Sequence, residues 1–528
     1  MHDVALLLSA AAVAVLLARL LSMPLIPLLL LSGVGLALVA GPPAEFLESA
    51  LILGVSFLLF VAGLELDPRR IRAQRTAAVR VGLAQFFVLA ALGFFVARDL
   101  GFGELEAGYV ALALPASSTL VGVRLLQRRR QMFEPFGRLT LGVLLLQDVL
   151  VLLSIPLVTE IAAGWSQVLL KTGGVLLLGF LSLLTRRWGG RLMLKVADES
   201  EVILLGALAI LFVFIGAAGL LGLPIVVGAF LAGVALSRFP VNGIVRAEVA
   251  PIGDFFAAIF FTALGALVRL PSATEMWQAF WLAATVLVVT PPLVILIAER
   301  SGFTSKPAAE AGLLLSQTSE ISLVVILYGM IEGQISQSLY VVVAMVTLST
   351  MLLTPLIATD DIAARLARLR IRRPSHEHGE RPPSDHVLLL GAGSTGMPLL
   401  EDLVLSGCDV AVIDDDPAII RRLEEAGVHA VRGEATDPLV LRRAGAHQAR
   451  VVSSTIRRPR DNATLLELAG DVPVLVRVFE EEDAEWVRGM GGEPVLYSVA
   501  TADGLMEWFL EQRDAAAGDA GDGEHGAG

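Results

Sequence analysis

The chain has 528 residues, 55% of them hydrophobic and only 17% charged, with a mean hydropathy of +0.73. That is too apolar for a soluble protein of this length, so the composition identifies a polytopic membrane protein. The formal charge of −12 is unevenly held: residues 386–528 carry 12 Lys+Arg and 26 Asp+Glu, leaving 28 and 26 of the totals of 40 and 52 for residues 1–385, and an acidic soluble part excludes nucleic acid as the expected partner, since that role calls for a basic face.

About thirteen apolar stretches follow one another through residues 1–358, near 3–21, 23–41, 46–66, 76–97, 105–126, 136–158, 166–185, 201–220, 222–237, 248–268, 277–298, 307–330 and 337–357. No small-residue cleavage site follows the first stretch, so it is read as a retained helix. Basic residues alternate loop by loop. Arg69, Arg70, Arg72 and Arg75, then Arg128, Arg129 and Arg130, then Arg186, Arg187, Arg191 and Lys195, then Arg238 and Arg246, then Arg300 and Lys306 all fall on one side. The positive-inside rule makes that side cytoplasmic, which places the N-terminus outside and everything beyond residue 358 inside.

Two stretches are interrupted by polar residues, Pro115-Ala116-Ser117-Ser118-Thr119 and Ser316-Gln317-Thr318-Ser319-Glu320. They lie seven stretches apart, as do Pro27…Gly35-Leu36-Ala37-Leu38 and Pro224…Gly233-Val234-Ala235-Leu236. An odd shift makes two halves inverted in the membrane, and paired polar breaks in such halves point to discontinuous helices around a central site. Between the breaks, Asp148 occupies the middle of the apolar run Leu139–Leu153. An unpaired Asp there costs roughly 2.5–3.5 kcal/mol on insertion scales, and its one-carbon stem cannot snorkel to the headgroups, so an ion or proton site is expected. Hydroxyls and unwound carbonyls at Ser117, Ser118 and Thr119 supply the oxygen ligands that hard cations prefer. Gln147, about 100° around the helix from Asp148, is expected to set the neighbouring surface rather than share the ligand sphere. Glu320 is a second mid-span acid, readable either as a direct ion ligand or as a structural partner for an Arg or a helix N-terminus.

Residues 359–385 form a basic amphipathic segment with Arg365, Arg368, Arg370, Arg372 and Arg373, then a Pro-containing linker whose His376 and His378 have no Cys or ordered carboxylate beside them to make a metal site. The single cysteine, Cys408, excludes an intrachain disulfide. His386–Leu390 reads as a buried strand, followed at once by Gly391-Ala392-Gly393-Ser394-Thr395-Gly396, a helical run to Leu405, and a second strand ending in Asp414. This context makes G-x-G-x-x-G a dinucleotide fingerprint. Gly391 permits the tight turn, Gly393 the approach of phosphates to the helix N-terminus, and Gly396 close helix–sheet packing, while Asp414 would take ribose hydroxyls. Further strands are expected at Arg450–Ser454 and Val474–Val478. The tail 513–528 is Ala, Gly and acid and is expected to be disordered.

Leu59-Phe60-Val61-Ala62-Gly63-Leu64-Glu65-Leu66, Ala116-Ser117-Ser118-Thr119, Gln147-Asp148, Gly228-Ala229-Phe230-Leu231-Ala232-Gly233 and Gln317-Thr318-Ser319-Glu320 resemble, in order and spacing, the monovalent cation:proton antiporter-2 family. Gln-Asp at the site resembles its Kef-type potassium efflux systems. The resemblance implies a homodimer exchanging K⁺ or Na⁺ for H⁺, its core helices carrying the ion. One departure is Thr290-Pro291-Pro292, where many relatives have Lys before Pro; the chain's only lysines are Lys171, Lys195 and Lys306. Residues 386–512 resemble a regulator-of-potassium-conductance (TrkA-N) domain, including the loop Gly433-Glu434-Ala435-Thr436-Asp437, with Glu434 where many relatives have Asp. This implies an adenine nucleotide or NAD(H) as a regulatory ligand.

The expected fold is therefore a polytopic α-helical membrane domain over residues 1–358, with inverted repeats and discontinuous helices, joined to a Rossmann-like α/β domain over 386–512. A dehydrogenase is disfavoured because no second domain follows to hold a substrate. A potassium channel would need a carbonyl filter, and no T-V-G-Y-G-like string occurs.

Overall fold

Each apolar stretch is helical in a computed structural model that describes all residues except 1, 22–24, 42, 65–74, 130, 133, 160–163, 196–199, 239–240, 370–382, 394, 435–436, 457–458 and 522–528. The basic positions 69, 70, 72 and 130, the linker residues His376 and His378, and Ser394 lie outside the described residues. Two units separate, residues 1–301 with 305–370 and residues 302–304 with 371–528.

The first unit runs α1 (His2–Leu20), α2 (Leu25–Val39), α3 (Ala44–Leu64), α4 (Arg75–Asp99), α5 (Glu104–Ala113), α6 (Thr119–Arg128), α7 (Pro135–Thr159), α8 (Trp165–Lys195), α9 (Ser200–Leu220), α10 (Ile225–Leu236), α11 (Val241–Ala266), α12 (Ala273–Arg300), α13 (Ser305–Leu314), α14 (Glu320–Ile331), α15 (Gln337–Ile357) and α16 (Asp360–Leu369). Among the described residues, eight of these are long and apolar enough to cross a membrane, namely α1, α4, α7, α8, α9, α11, α12 and α15. The two interrupted stretches are each a pair, α5 with α6 and α13 with α14. Pro115 cannot continue α5, and Ser118 restarts the chain as the N-cap of α6 by accepting the Val121 N–H at 3.3 Å. In the second break the cluster Ser316–Ser319 competes for backbone groups, and Ser319 caps α14 by accepting the Ile321 N–H at 3.1 Å. The start of the basic segment is helical, α16, which packs on α13 with Asp360 at 3.9 Å from Arg129, while Arg370, Arg372 and Arg373 lie outside the described residues.

The two halves repeat in their packing. α2 lies against α11 as α10 lies against α3; α4 meets α5 and α7 as α12 meets α13 and α15. Glycines make the closest of these crossings. A Cβ on Gly33 would lie 2.0 Å from Thr262 O and 2.9 Å from Gly265 Cα, and one on Gly233 would lie 2.1 Å from Phe60 O and 2.8 Å from Gly63 Cα. Gly33–Gly265 and Gly233–Gly63 are thus the same contact made twice. This corrects the register read from the sequence: Gly33, not Gly35, is the counterpart of Gly233, and a Cβ at Gly35 meets nothing within 4 Å. Short Gly-x-Gly strings align equally well either way, and only the helix crossing distinguishes them.

The second unit alternates β1 (Val387–Leu390), α17 (Gly396–Leu405), β2 (Val410–Asp414), α18 (Pro417–Glu425), β3 (His429–Arg432), α19 (Pro438–Arg443), β4 (Val451–Ser454), α20 (Ala463–Leu468), β5 (Val474–Val478), α21 (Glu481–Gly489), β6 (Glu493–Leu496) and α22 (Tyr497–Gly521). All strand pairs are parallel, in the order β3-β2-β1-β4-β5-β6. The order reverses between β1 and β4, and in such sheets ligands bind at the carboxyl ends beside that switch. The expectation of a disordered tail from residue 513 is corrected in part. α22 continues through Gly521, because Ala515-Ala516-Ala517 carries the highest helix propensity even though it has little apolar surface to bury; residues 522–528 lie outside the described residues.

Candidate functional site

Both breaks meet in the interior of the first unit. Thr119, the first residue of α6, donates its hydroxyl to Asp148 Oδ2 at 3.1 Å; Ser118, its neighbour, donates to Glu320 Oε2 at 2.7 Å. Two carboxylates from different helices are therefore linked through adjacent residues of one break. Asp148 is 3% exposed and Glu320 7%. Glu320 is also the first residue of α14, where the positive end of the helix dipole favours a carboxylate. Ser117 donates to Leu315 O at 2.9 Å, stitching the first break to the second.

Gln147 was expected to set the surface neighbouring Asp148, and the two side chains reach different residues of the same break: Gln147 Oε1 accepts the Ser117 N–H at 3.1 Å, two residues before the Thr119 that Asp148 holds. The unwound chain between Ser117 and Thr119 covers the angular separation of consecutive helical residues, so both can engage it. Orientation of the Gln147 amide is fixed by that bond, because only its oxygen can face an N–H donor.

The second half builds its break differently. Thr350 Oγ1 accepts the Thr318 N–H at 3.2 Å, as Gln147 does for Ser117, and Thr347 and Thr354 bond Thr318 Oγ1 and Ser316 O at 3.0 and 3.3 Å. Helix α15 thus presents hydroxyls where α7 presents an amide and a carboxylate, and α15 contains no acidic residue at all. The carboxylate facing a break from a neighbouring helix belongs to the first half alone. Gln85 on α4 was missed by the sequence reading: fully buried, it donates to Ser117 Oγ and Leu315 O, both at 3.3 Å. A lone amide inside the apolar run of α4 was the available signal. Thr290 is buried on α12, and the three lysines lie on α8 and in the first turn of α13.

Ser118 carries a prediction of its own. Its hydroxyl is both the α6 cap and a donor to Glu320, so Ser118→Ala should cost roughly 1–3 kcal/mol from the lost cap and the lost bond to a buried acid. The expected result is a lower melting temperature in detergent. An unchanged melting curve would remove Ser118 as the link between the breaks.

In the second unit, Gly391 adopts φ +84°, a conformation that only glycine takes without strain, and a Cβ on Gly396 would lie 1.9 Å from Gly391 O. A Cβ on Gly393 meets nothing within 4 Å, so the loop is open at the position where phosphates would approach α17. Asp414 closes the other side: its Oδ2 accepts the Ala392 N–H at 2.7 Å and its Oδ1 the Asp416 N–H at 2.8 Å. Burial pushes its pKa up against the opposing pull of those amides. Glu434 follows β3 at the same end of the sheet, and the preceding Gly433 N–H donates to Asp414 O at 3.1 Å. Thr395 precedes α17 without capping it; its hydroxyl oxygen instead accepts Arg477 Nη1 at 2.6 Å. These residues fit an adenine nucleotide: a loop open at Gly393 toward the phosphates, a helix N-terminus, and an acid for ribose hydroxyls.

Residues 6–359 match the family described as sodium/hydrogen exchanger, transmembrane, and residues 387–498 match the TrkA-N domain. The glutathione-regulated potassium-efflux system protein KefC of Salmonella arizonae is 29% identical over 435 residues, which cover 79% of this chain and 68% of that protein. That of Shigella flexneri is 27% identical over 432 residues, with the same coverage of each. Among solved structures, the sodium proton antiporter MjNhaP1 of Methanocaldococcus jannaschii aligns over 70% of this chain and 99% of its own with a TM-score of 0.53 at 17% identity, a likeness of fold.

Proposed function

The chain belongs to the sodium/hydrogen exchanger family and carries a TrkA-N domain, which makes it a transporter and not an enzyme, and from that membership we propose that it exchanges K⁺, in preference to Na⁺, for H⁺ at Asp148. The observation that carries this reading is a buried carboxylate in the middle of α7, bonded to an unwound segment of a broken helix. A single carboxylate can hold a proton or face a cation but not both, so proton and cation compete for one group. If the site changes sides only when occupied by one or the other, competition becomes exchange. Rocking of α4–α7 and α12–α15 against the remaining helices would supply access to each side in turn. Ser117, Ser118 and Thr119 would contribute oxygens, Gln147 would hold the break in shape, and Glu320 would anchor Ser118.

Purified protein in proteoliposomes, with an internal pH-sensitive dye, tests this directly. Adding K⁺ should dissipate a pre-formed pH gradient, at lower concentration than Na⁺ does. A dye signal blind to both ions would sink the exchange reading, and equal half-saturating concentrations would sink the K⁺ preference.

The second part of the proposal is regulatory. An adenine nucleotide or NAD(H) would bind at Gly391–Gly396 and Asp414, in a domain that the positive-inside rule assigns to the cytoplasmic side of the plasma membrane. A ligand shifts the transport equilibrium only by its differential affinity for two states of the protein. Gly393→Asp sets a carboxylate against the phosphates, and Asp414→Ala removes the ribose acceptor. Both variants should lose nucleotide-dependent changes in transport while keeping basal exchange; retention of the nucleotide response in both would exclude this crevice. A homodimer is also proposed. α22 supports it, since Leu505, Met506, Trp508 and Phe509 are each more than half exposed, an apolar face that a second copy would cover.

A further inference from the structure

The crevice has a charged side that the glycine fingerprint does not mention. Arg477 stands in β5, and its guanidinium spans the switch point: Nη1 donates to Thr395 Oγ1 at 2.6 Å, and Nη2 donates to the carbonyl oxygen of Thr455, just beyond β4. Thr455 in turn donates its hydroxyl to Gly391 O at 2.7 Å. The Phe479 ring lies under the guanidinium at 5.1 Å. A positive charge is therefore fixed by groups from the loop after β1, the loop after β4 and β5 itself, at the N-terminus of α17. Asp414 lies on the opposite side of β1 in the sheet order. The crevice is polar along its length: an acid on the β2 side, backbone N–H groups in the middle, and a guanidinium on the β4–β5 side.

We propose that Arg477 reads the phosphate chain of the ligand, making the crevice selective for adenosine nucleotides that end in a free di- or triphosphate over dinucleotides. This rests on the reading that the crevice binds an adenine nucleotide. With the ribose on Asp414 and the first phosphate at α17, any further phosphate extends across β1 toward β4 and β5, where the planar fork of an arginine matches phosphate oxygens two at a time. The second half of a dinucleotide would have to occupy that same side. Its second phosphate is an internal diester with a single negative charge, which meets the guanidinium more weakly than the terminal phosphate of ADP or ATP, while the attached second ribose crowds the bonds to Thr395 and Thr455.

The test is calorimetric titration of the detergent-purified full-length protein with AMP, ADP, ATP, NAD⁺ and NADH. ADP and ATP should bind more tightly than AMP, NAD⁺ or NADH. Arg477→Gln should weaken ATP on the order of ten- to a hundredfold and leave AMP within about threefold; Arg477→Lys, keeping charge without the fork, should fall between. The ranking in the parent protein needs no variant and so stands even if a substitution prevents folding. NAD⁺ binding as tightly as ATP, or an Arg477→Gln variant with the parent's ranking, would overturn the role of Arg477 and leave nucleotide binding intact. No heat with any of the five would take down both.

Discussion

Asp148→Asn is expected to reduce K⁺- and Na⁺-driven proton movement in proteoliposomes to the level of protein-free vesicles. The amide keeps the size of the side chain and can still accept from Thr119 Oγ1, so the α5–α6 break should remain closed over α7. What it loses is titration. A group that cannot release a proton cannot trade one for a cation, and no second carboxylate on α7 or α15 stands ready to replace it. Because the side chain's size and its bond from Thr119 are kept, the variant should insert normally and melt near the parent temperature. Loss of transport with unchanged stability is the signature of a functional acid. Loss of both would mean that Asp148 is chiefly structural, and undiminished exchange would remove it from the mechanism. Glu320→Gln separates the two acids: because Glu320 sits at the positive end of the α14 dipole, loss of its charge should lower stability more than Asp148→Asn does.

Gly233→Val should abolish recovery of folded protein. Its Cβ would lie 2.1 Å from a backbone oxygen and 2.8 Å from the Cα of Gly63, and neither can rotate away as a side chain would. Restoring ordinary contact requires α3 and α10 to separate by more than 1 Å over their crossing, since unstrained contact begins near 3.4 Å. Overpacking of this kind costs about 1–3 kcal/mol even where side chains can adjust, and more against backbone. Gly265→Val, at the equivalent crossing of α2 with α11, should fail to the same degree. Gly35→Val, with nothing within 4 Å, should be recovered like the parent. Size-exclusion profiles of the three variants from equal cell mass decide the matter. A monodisperse Gly233→Val peak equal to that of Gly35→Val would mean that the crossing is looser than described.

Local chemistry made much of this protein legible from its residues. Apolar runs long enough to span a bilayer were found because hydrophobic length is a property of contiguous sequence. Asp148 was conspicuous because a short acid inside such a run has nowhere else to go. The nucleotide fingerprint could be read because turn, helix start and acceptor lie within 24 residues, from Gly391 to Asp414. Pro115 and the polar residues of the two interruptions announced the breaks for the same reason, each acting on backbone within a few residues of itself.

Only the tertiary structure decided who meets whom across the chain. Ser117 bonds Leu315 and Ser118 bonds Glu320, partners 198 and 202 residues away, and no periodicity carries that information. That Gln147 holds the Ser117 N–H was not legible, because helical geometry fixes where a side chain leaves its own helix, not how the unwound strand opposite is shaped to receive it. Gly35 was aligned with Gly233 because a glycine's use depends on the helix pressed against it. Arg477 carried no signal of its own within the strand expected at Val474–Val478; its guanidinium bonds Thr395, 82 positions earlier, because β5 lies beside β4 and β4 beside β1. The sequence determined the elements and the groups able to do chemistry; their pairing followed from packing, which sums weak contacts between segments that the chain itself keeps far apart.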